Sequence, residues 1–394
     1  MKTLQLKKNE ERRLLAGHPW VFSNEVDVAA SPLTALKSGE LVLVRDSRGR
    51  PLGTAYANPH SLICARLISR EPGIRLDAAL ITERLRHALA LRERLFDRPC
   101  YRLVYGESDA LPGLVVDRFG DVLVGQITTA GMECRREEIS AALREVLGPL
   151  PLIWRNDASI RTLEGLETYV EAPPGAPERV RIEENGCSFE VPVLGGQKTG
   201  WFFDHRLGRA RLPFYARGGR VLDVFSYTGA WGIQAAAGGA EEVLCVDSSQ
   251  AALDQLEGNA ALNGVENKVR GRRGDAFDVL AELGDAGERF DLVIVDPPAF
   301  IKRRKDAKAG LSAYRRINRA ALRLLGDGGV LISASCSFHL PADELRGLIR
   351  LEGNRAGLHL RILEQHRQGP DHPVHPAIPE TDYLKTFIVH IGRS

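Results

Sequence analysis

The stretch RVLDVFSYTGAWGIQAAAGGAEEVLCVD, residues 220–247, decides the fold of this chain. An apolar run that ends at Val224 is followed by a turn, a small-residue segment of helical length and a second apolar run that ends at Asp247. Apolar strands separated by helices of this length are typical of a parallel sheet with helices on both faces. The alternation continues through DLVIVDPPAF (291–300), GGVLISASCS (328–337) and TFIVHIG (386–392). The sequence therefore predicts a doubly wound α/β domain over residues 191–394.

Length and composition indicate that this domain is one of several. The chain has 394 residues, more than a single hydrophobic core usually serves, and its 44% hydrophobic content is that of an ordinary globular protein. Residues 1–72 contain short strand-like runs separated by turns, which predicts a small β-rich domain. Residues 73–190 begin with an amphipathic helix near Asp77 and continue with alternating segments, which predicts an α+β middle domain. We therefore expect a multidomain α/β protein.

Cysteine spacing, charge and hydropathy exclude several classes of protein. The six cysteines contain no C-x-x-C pair and the ten histidines no H-E-x-x-H pattern, so neither a disulfide framework nor a metal site is predicted. No apolar stretch is long enough to span a bilayer, and the N-terminus lacks the apolar segment of a secretory signal. A net charge of +2 does not by itself indicate a nucleic-acid partner. A cytoplasmic protein without a metal or a membrane segment is expected.

Polar residues at the strand ends predict a cofactor, because ligands of such sheets bind beyond the carboxyl ends of the strands. Phe225 and Tyr227 occupy the positions of the first two glycines of a G-x-G-x-x-G fingerprint. Because those glycines let the backbone approach a pyrophosphate, this turn is poorly suited to binding one. Asp247 can accept hydrogen bonds from ribose hydroxyls, and Asp275 can reach an adenine amine. Each acid could instead cap a helix, but the set suits S-adenosylmethionine. The candidate cofactor residues are Asp223, Phe225, Ser226, Tyr227, Thr228, Gly229, Asp247, Ser248, Asp275, Ala276 and Asp296.

The segment DPPAF, residues 296–300, predicts a substrate slot next to the cofactor. Two consecutive prolines cannot continue a central strand, so they fix a rigid exit after Asp296. A flat, polar-edged nucleobase would suit this exit, with Pro297 lining it and Phe300 stacking on the base. The alternative is a simple strand terminator, for which one proline would suffice.

Cys336 follows the next apolar run and is expected at the carboxyl end of that strand, beside the DPP exit. A thiolate that adds to carbon 6 of a pyrimidine makes carbon 5 nucleophilic enough to attack a methyl group. Cysteine is also a common buried packing residue. Next to a methyl donor and a base slot, the catalytic interpretation of Cys336 is favoured. Methylation of an exocyclic amine, which needs no cysteine, stays as the alternative.

A basic run follows the DPP exit directly. It contains Lys302, Arg303 and Arg304, and further cations follow at Lys305, Lys308, Arg315, Arg316, Arg319 and Arg323. A run of this kind forms either a solvated loop and helix face or a phosphate-contacting surface. Its position after a catalytic strand end favours contact with RNA.

Several longer motifs resemble one known family over nearly the full length. They are GHPWVFSNEV (17–26), YGESDALPGLVVDRFGDVLVGQ (105–126), GQKTGWFFDHR (196–206), VLDVFSYTGAWG (221–232), VIVDPPAF (293–300) and SASCS (333–337). Together they resemble the bacterial large-subunit ribosomal RNA cytosine-C5 methyltransferases that carry an N-terminal PUA domain. The resemblance implies a PUA RNA-binding domain at 1–72, a Rossmann-like class I methyltransferase domain at 191–394, S-adenosylmethionine as cofactor and ribosomal RNA as partner. A homodimer is a further, family-like expectation.

The resemblance also assigns roles to individual residues. Cys336 matches the family's candidate nucleophile and Asp296 its catalytic-motif acid, while Lys198, Asp204 and Arg206 match the segment that enters the catalytic domain. Arg206 would reach either the cofactor carboxylate or RNA.

One position departs from the wider pattern of RNA cytosine-C5 methyltransferases. Ala299 stands where other such enzymes have a second cysteine that helps to release the covalent adduct. The sequence therefore leaves open whether His339 or a water removes the carbon 5 proton.

Two other function classes remain as alternatives. A non-catalytic RNA-binding assembly factor would carry a vestigial cofactor pocket, and the intact acids at Asp223, Asp247 and Asp296 argue against it. An NAD-linked oxidoreductase is disfavoured because the phosphate-binding glycines are missing.

Overall fold

The structure is a computed structural model that describes residues 1–393. The strands within this range are β1 (Lys2–Gln5), β2 (Trp20–Phe22), β3 (Leu41–Arg45), β4 (Pro51–Ala57), β5 (Ile63–Ser69), β6 (Cys100–Tyr105), β7 (Leu114–Phe119), β8 (Val122–Ile127), β9 (Leu152–Asn156), β10 (Tyr169–Glu171), β11 (Arg179–Glu184), β12 (Cys187–Pro192), β13 (Arg220–Val224), β14 (Glu242–Asp247), β15 (Val269–Arg273), β16 (Phe290–Val295), β17 (Leu325–Ser335), β18 (Leu358–His366) and β19 (Lys385–Arg393). The α-helices are α1 (Glu11–Leu15), α2 (Ala78–Leu95), α3 (Ala130–Glu133), α4 (Arg136–Leu147), α5 (Ile160–Leu163), α6 (Arg206–Arg209), α7 (Leu212–Tyr215), α8 (Ala230–Ala237), α9 (Gln250–Leu262), α10 (Ala276–Asp285), α11 (Ala307–Leu324) and α12 (Ala342–Arg355).

The chain divides into two compact units. The first contains Met1–Val180, Val191–Phe203 and Pro370–Thr381, and the second contains Arg181–Glu190, Asp204–Gly369 and the chain from Asp382 onward. The predicted domain boundaries after residues 72 and 190 stay predictions. No helix within residues 1–393 has the length and hydropathy of a membrane span.

The first unit contains two sheets. The N-terminal sheet has the strand order β1-β3-β4-β5-β2 and is antiparallel apart from the β1–β3 pair. β3 alternates as a strand with one buried face should, so that Val42 and Val44 lie in the core while their neighbours are part-exposed. The other sheet has the order β10-β9-β8-β7-β6. The small β-rich domain and the α+β region predicted from the sequence are both present.

Helix α2 shows how local sequence sets an element of the first unit. Its N-cap is Asp77, whose carboxylate accepts a hydrogen bond from the Leu80 backbone N–H at 3.1 Å. Ile81, Leu85 and Ala88 recur at helical spacing and are buried, and Ile81 and Leu85 belong to the same core cluster as Leu103 of β6. The helix predicted to begin near Asp77 is therefore confirmed.

The second unit is built on a sheet that, within the described residues, has seven strands in the order β15-β14-β13-β16-β17-β19-β18. The first five of these run parallel, whereas β19 is antiparallel to both β17 and β18. β13 and β16 are buried almost throughout, as expected for strands covered on both faces. From β13 the chain continues to β14 and β15 on one side, and it then returns to β16 and β17 on the other side of β13, so the strand order reverses between β13 and β16. This is the switch point at which doubly wound folds bind ligands, and the predicted mainly parallel sheet is confirmed.

Candidate active site

The register of the central strands brings several predicted residues to one level. Val224 of β13 pairs with Val246 of β14 on one side and with Val295 of β16 on the other. The next residues along each strand, Asp247 and Asp296 among them, therefore leave the sheet at the same edge. This carboxyl edge is the site that the strand-end acids predicted.

The turn after β13 has an unusual backbone. Phe225 and Tyr227 have φ angles of 66° and 49°, in the left-handed region that side chains other than glycine rarely adopt, and Gly229 follows at 87°. The Phe225 and Ser226 N–H groups both donate to the Val246 carbonyl, at 2.9 and 3.0 Å. Backbone strain of this kind, about 1–3 kcal/mol per residue, tends to occur at ligand-binding turns. In the turn that stands in place of the dinucleotide fingerprint, two residues other than glycine thus adopt the left-handed conformation that glycine usually adopts.

Asp223 is fully buried near the end of β13. Its Oδ2 accepts a hydrogen bond from the Gly232 N–H at 2.9 Å, whereas its Oδ1 has no hydrogen-bond partner among the described residues. Burial raises the pKa of this carboxyl to about 8, the Gly232 N–H partly opposes the rise, and the nearby Asp296 and Asp247 carboxylates add to it. A buried carboxyl with an unpartnered oxygen is expected where a ligand completes the site.

The two other predicted cofactor acids also make local backbone contacts. Asp247 accepts from the N–H groups of Tyr227 and Ser249, both at 2.9 Å. Asp275 is exposed and caps α10 through the Phe277 N–H at 2.8 Å, so the helix-capping alternative is correct for its Oδ1. Among the neighbours predicted with them, Ser248 is exposed and Ala276 is buried as the first residue of α10.

Asp296 is fixed at the exit of β16 by two side chains. The Trp231 Nε1–H donates to Asp296 Oδ2 at 3.0 Å, and His205 Nε2 lies 3.2 Å from the same oxygen. His205 is 5% exposed and its ring packs edge-on against Trp231, with centroids 5.6 Å apart. The described contacts of this carboxylate therefore engage one oxygen and fix its orientation.

Cys336 is half-buried in the segment directly after β17. The residues on either side of it are held firmly: Ser335 Oγ donates to Tyr314 Oη at 2.8 Å, and Ser337 Oγ donates to the Ile301 carbonyl at 2.5 Å. The buried Lys385 ammonium donates to the Ser337 carbonyl at 2.5 Å and interacts electrostatically with Cys336. Burial lowers the pKa of Lys385 to about 8. The cysteine thus lies between hydrogen-bonded residues and beside a buried cation.

The residues of the DPP exit lie close to the β13 turn. Pro297 is buried, and Phe300 is half-buried with its ring 6.3 Å from Phe225 and 4.9 Å from Tyr314, measured between centroids. Phe300 is therefore part of an aromatic cluster, which limits the face that it can offer to a base.

The basic residues of the next segment point away from the core. Lys302, Arg303, Arg304 and Lys305 are all exposed, and the ion pair that Arg303 makes is with Asp306, at 3.2 Å. His339 is part-exposed with its ring against Phe338.

The segment that was matched to the entry of the catalytic domain, residues 196–206, is divided between the two units: residues up to Phe203 belong to the first and residues from Asp204 to the second. Arg206 Nε lies 3.5 Å from Oε2 of the buried Glu184, and Arg209 Nε lies 2.6 Å from Oε1 of the same carboxylate. The described contacts of Arg206 are therefore structural. Asp204 accepts from the Tyr383 hydroxyl at 2.6 Å. Lys198 belongs to the first unit, where its ammonium lies 4.7 Å from the centre of the Phe202 ring.

Comparison with known families identifies the chain. A family model described as S-adenosylmethionine-dependent methyltransferase matches residues 167–385, more than half of the sequence. The chain belongs to this methyltransferase family. A second model, described as a PUA-like domain, matches residues 4–70. The methyltransferase fold, the PUA-like domain and S-adenosylmethionine as cofactor, all predicted from the motifs, are confirmed.

Individual relatives are similar to this chain in sequence over nearly its whole length. Ribosomal RNA large subunit methyltransferase I from Cronobacter sakazakii is 37% identical over 98% of this chain and 99% of its own. The protein of the same name from Erwinia tasmaniensis is 38% identical, again over 98% and 99%. A crystal structure of a methyltransferase complexed with SAH aligns with a TM-score of 0.85 over 99% of this chain and 100% of that one, at 24% identity, and shows the same fold.

The residues of the methyltransferase site fit its cofactor. Besides Asp223 Oδ1, the hydroxyls of Ser226 and Thr228 in the same turn are buried without a hydrogen-bond partner within residues 1–393. Three unpartnered polar atoms at the end of β13 and in the turn after it would be unfavourable unless a polar ligand satisfies them. A ligand with amino, carboxylate and hydroxyl groups provides the partners that these atoms lack.

Sequence reasoning missed His205, Trp231 and Lys385. Trp231 and His205 belong to the motifs TGAWG and FFDHR, but nothing in either motif indicates that both side chains contact Asp296. Lys385 starts a strand that is antiparallel to β17 and pairs with Ser335. An antiparallel last strand would have placed Lys385 at the carboxyl edge, but strand direction is not readable from the apolar run alone.

Proposed function

We propose that the protein methylates carbon 5 of a cytosine in large-subunit ribosomal RNA, through a covalent adduct with Cys336. One observation carries the proposal: a half-buried cysteine, held between two anchored serines, follows β17 at the edge where Asp296 follows the neighbouring strand β16. The relatives that match along the whole chain are named for ribosomal RNA of the large subunit, which supports RNA as the substrate class.

The cofactor would be held by the β13 turn and the acids at the carboxyl edge. Asp223 and the hydroxyls of Ser226 and Thr228 offer unpartnered polar atoms, and Asp247 retains acceptor capacity for ribose hydroxyls beyond its two backbone bonds. When bound, S-adenosylmethionine supplies an electrophilic methyl group on a sulfonium.

Cys336 supplies the nucleophile in this scheme. Its thiolate sulfur bonds to carbon 6 of the base, the double bond between carbons 5 and 6 is lost, and carbon 5 gains the electron pair with which it takes the methyl group. Loss of the carbon 5 proton then re-forms the double bond and expels the thiolate. The buried ammonium of Lys385 favours the thiolate form of Cys336 in both its attacking and its leaving role.

Asp296 orients the base. Its Oδ2 is held by Trp231 and His205, so the remaining acceptor capacity of the carboxylate suits the exocyclic amine of a cytosine. Holding the amine fixes the distance between carbon 6 and the thiolate, and positioning of this kind contributes strongly to rate.

We expect the affinity for the cofactor to depend on pH through Asp223. Because its pKa is raised to about 8, the carboxyl is largely protonated at pH 7 in the ligand-free protein, and a cationic ligand favours the ionised form. Affinity should therefore rise with pH up to about 8 and then level off, with release of up to one proton on binding. Calorimetry in buffers of different ionisation enthalpy measures both quantities. Asp223→Asn should bind more weakly and without pH dependence, whereas a flat profile for the wild type would contradict the assignment.

We also expect the exposed basic segment to bind RNA phosphates. Replacing Lys302, Arg303 and Arg304 by glutamine should weaken RNA binding and reduce the slope of log K against log salt, by roughly 0.7 for each phosphate of a single strand that is no longer neutralised. Filter binding over a series of salt concentrations measures this, and cofactor affinity serves as the control. An unchanged slope would show that the segment is only a solvated loop.

The remaining predictions follow from RNA as substrate. A cytoplasmic location stays a prediction, which rests on the fact that bacteria make and modify ribosomal RNA in the cytoplasm. The family-like homodimer also stays a prediction. Sedimentation of the purified protein would measure the oligomeric state.

The position of the new methyl group tests the proposed function. Unmodified large-subunit ribosomal RNA is incubated with the protein and labelled methyl donor, digested to nucleosides and analysed by mass spectrometry. Label in 5-methylcytidine supports the proposal. Label on an exocyclic amine supports the second candidate, which the DPP exit after Asp296 favours because amine methylation needs a held amino group and no thiol.

A further inference from the structure

A second cleft lies in the methyltransferase unit, outside the site described above. It has a volume of about 760 Å³ and is lined by residues of α10 and α11, by Arg289 just before β16 and by the chain at the start of β18. Its floor includes the apolar side chains of Phe277 and Leu322, and its rim carries Arg289, Arg316, Arg319 and Arg323. An apolar floor beneath a cationic rim is a surface suited to an anionic polymer with flat groups.

The helix α11 presents three of these arginines on one face. Arg316, Arg319 and Arg323 follow at intervals of three and four residues, which places them one above another on a helix. The opposite face is buried through Tyr314 and Ile317. Arg316 and Arg323 are about 10 Å apart along the axis at 1.5 Å per residue, a span over which one nucleic-acid strand carries about three phosphates.

Most of this positive charge is not neutralised within the protein. Arg319 is paired with the buried Glu352 at 2.6 Å, but Arg289, Arg316 and Arg323 are exposed and form no ion pair with any carboxylate among residues 1–393. The guanidinium of Arg316 instead lies 4.5 Å from the centre of the Phe277 ring, which fixes it at the rim. Asp285 is the acidic residue of the lining. The cleft therefore has a net positive charge.

The same helix connects the cleft with the active-site edge. α11 begins just after the exposed basic segment that follows β16 and ends where β17 starts, so it runs from the carboxyl edge of the sheet to the opposite edge. Its 18 residues span about 27 Å. Exposed cations occur at both ends of it, Lys302–Lys305 at one and Arg323 at the other.

We propose that this arginine-rimmed cleft is a second RNA-binding site, which holds the phosphates of a strand that extends beyond the target nucleotide along α11. The inference rests on RNA as the substrate proposed above. The cleft binds backbone charge and stacks at most one base on its apolar floor, so it adds affinity and reach without selecting a sequence.

Two oligocytidylates of different length test the proposal. A tetramer engages the active-site edge but is too short to cover the length of α11, whereas a 24-mer reaches the cleft. The variant replaces Arg289, Arg316 and Arg323 by glutamine, and a charge-matched control replaces the exposed Arg270, Arg346 and Arg350. Affinities are measured over a salt series, with melting temperature and cofactor affinity as checks of folding.

The cleft variant should bind the 24-mer at least about tenfold more weakly than the control and with a salt slope smaller by about 1.4–2, as expected when two or three phosphates are no longer neutralised. Binding of the tetramer should be equal in the two variants. Equal affinity and slope for the 24-mer would overturn the inference and leave the proposed function intact. A wild-type protein that neither binds nor methylates RNA would overturn both.

Discussion

Replacing Cys336 by alanine is expected to abolish methyl transfer, with turnover falling by about 10⁴-fold or more. Without the thiolate, carbon 5 of cytosine is too weakly nucleophilic to take the methyl group, and removal of a covalent nucleophile is among the largest single-residue effects in enzymes. The half-buried side chain makes no described contribution to the core cluster of its unit. Stability and cofactor affinity should therefore change little, and single-turnover transfer to RNA is the measurement.

A second cysteine serves as the matched control. Cys134 is exposed and lies in the first unit, so Cys134→Ala should keep full activity. If Cys336→Ala were as active as this control, Cys336 would be a packing residue, and methylation of an exocyclic amine would become the better account of the site.

Replacing Asp296 by asparagine is expected to lower kcat by about 10²–10³-fold. The substitution keeps the shape of the side chain and an oxygen that Trp231 can donate to, but it removes the negative charge and half of the acceptor capacity. The cytosine amine is then held less well, and a small misplacement of the base relative to the thiolate costs about two orders of magnitude in rate. Cofactor affinity should change by at most about tenfold, so the loss appears mainly in kcat.

The control for Asp296 is an acid on the surface. Asp343, at the start of α12, is paired with Arg346 in solvent, and Asp343→Asn should leave kcat unchanged. A kcat within threefold of wild type for Asp296→Asn would contradict its role in orienting the base and leave it as an anchor for Trp231 and His205.

Much of the fold follows from local signals in the sequence. Alternating apolar strands and helical segments are sufficient for the parallel sheet, and the Asp77 cap is sufficient for the start of α2. The strand-end acids are predictable for the same reason. The position of a residue at the carboxyl end of a parallel strand depends only on the strand itself, so Asp247 and Asp296 could be placed at one edge without knowledge of the tertiary contacts.

The rest of the site depends on contacts that are remote in sequence. His205 and Trp231 meet at Asp296 from positions 91 and 65 residues earlier in the chain, and Lys385 reaches the Cys336 segment from the antiparallel β19. The left-handed conformation of Phe225 could not be predicted either, because a non-glycine residue adopts it only when surrounding structure imposes it. Side chains that hold a catalytic group in place leave a weaker trace in sequence than the group itself.

The covalent bond between Cys336 and RNA is the central claim, and trapping it is the most direct test. In RNA that carries 5-fluorocytidine, carbon 5 has no proton to lose after methyl transfer, so the thiolate cannot be expelled and the adduct persists. We predict that incubation with the methyl donor gives a denaturation-stable protein–RNA complex, that peptide mass spectrometry locates the nucleotide on Cys336, and that Cys336→Ala forms none. Unmodified RNA that is methylated at carbon 5 while no fluorinated adduct forms, or an adduct on another residue, would contradict the account.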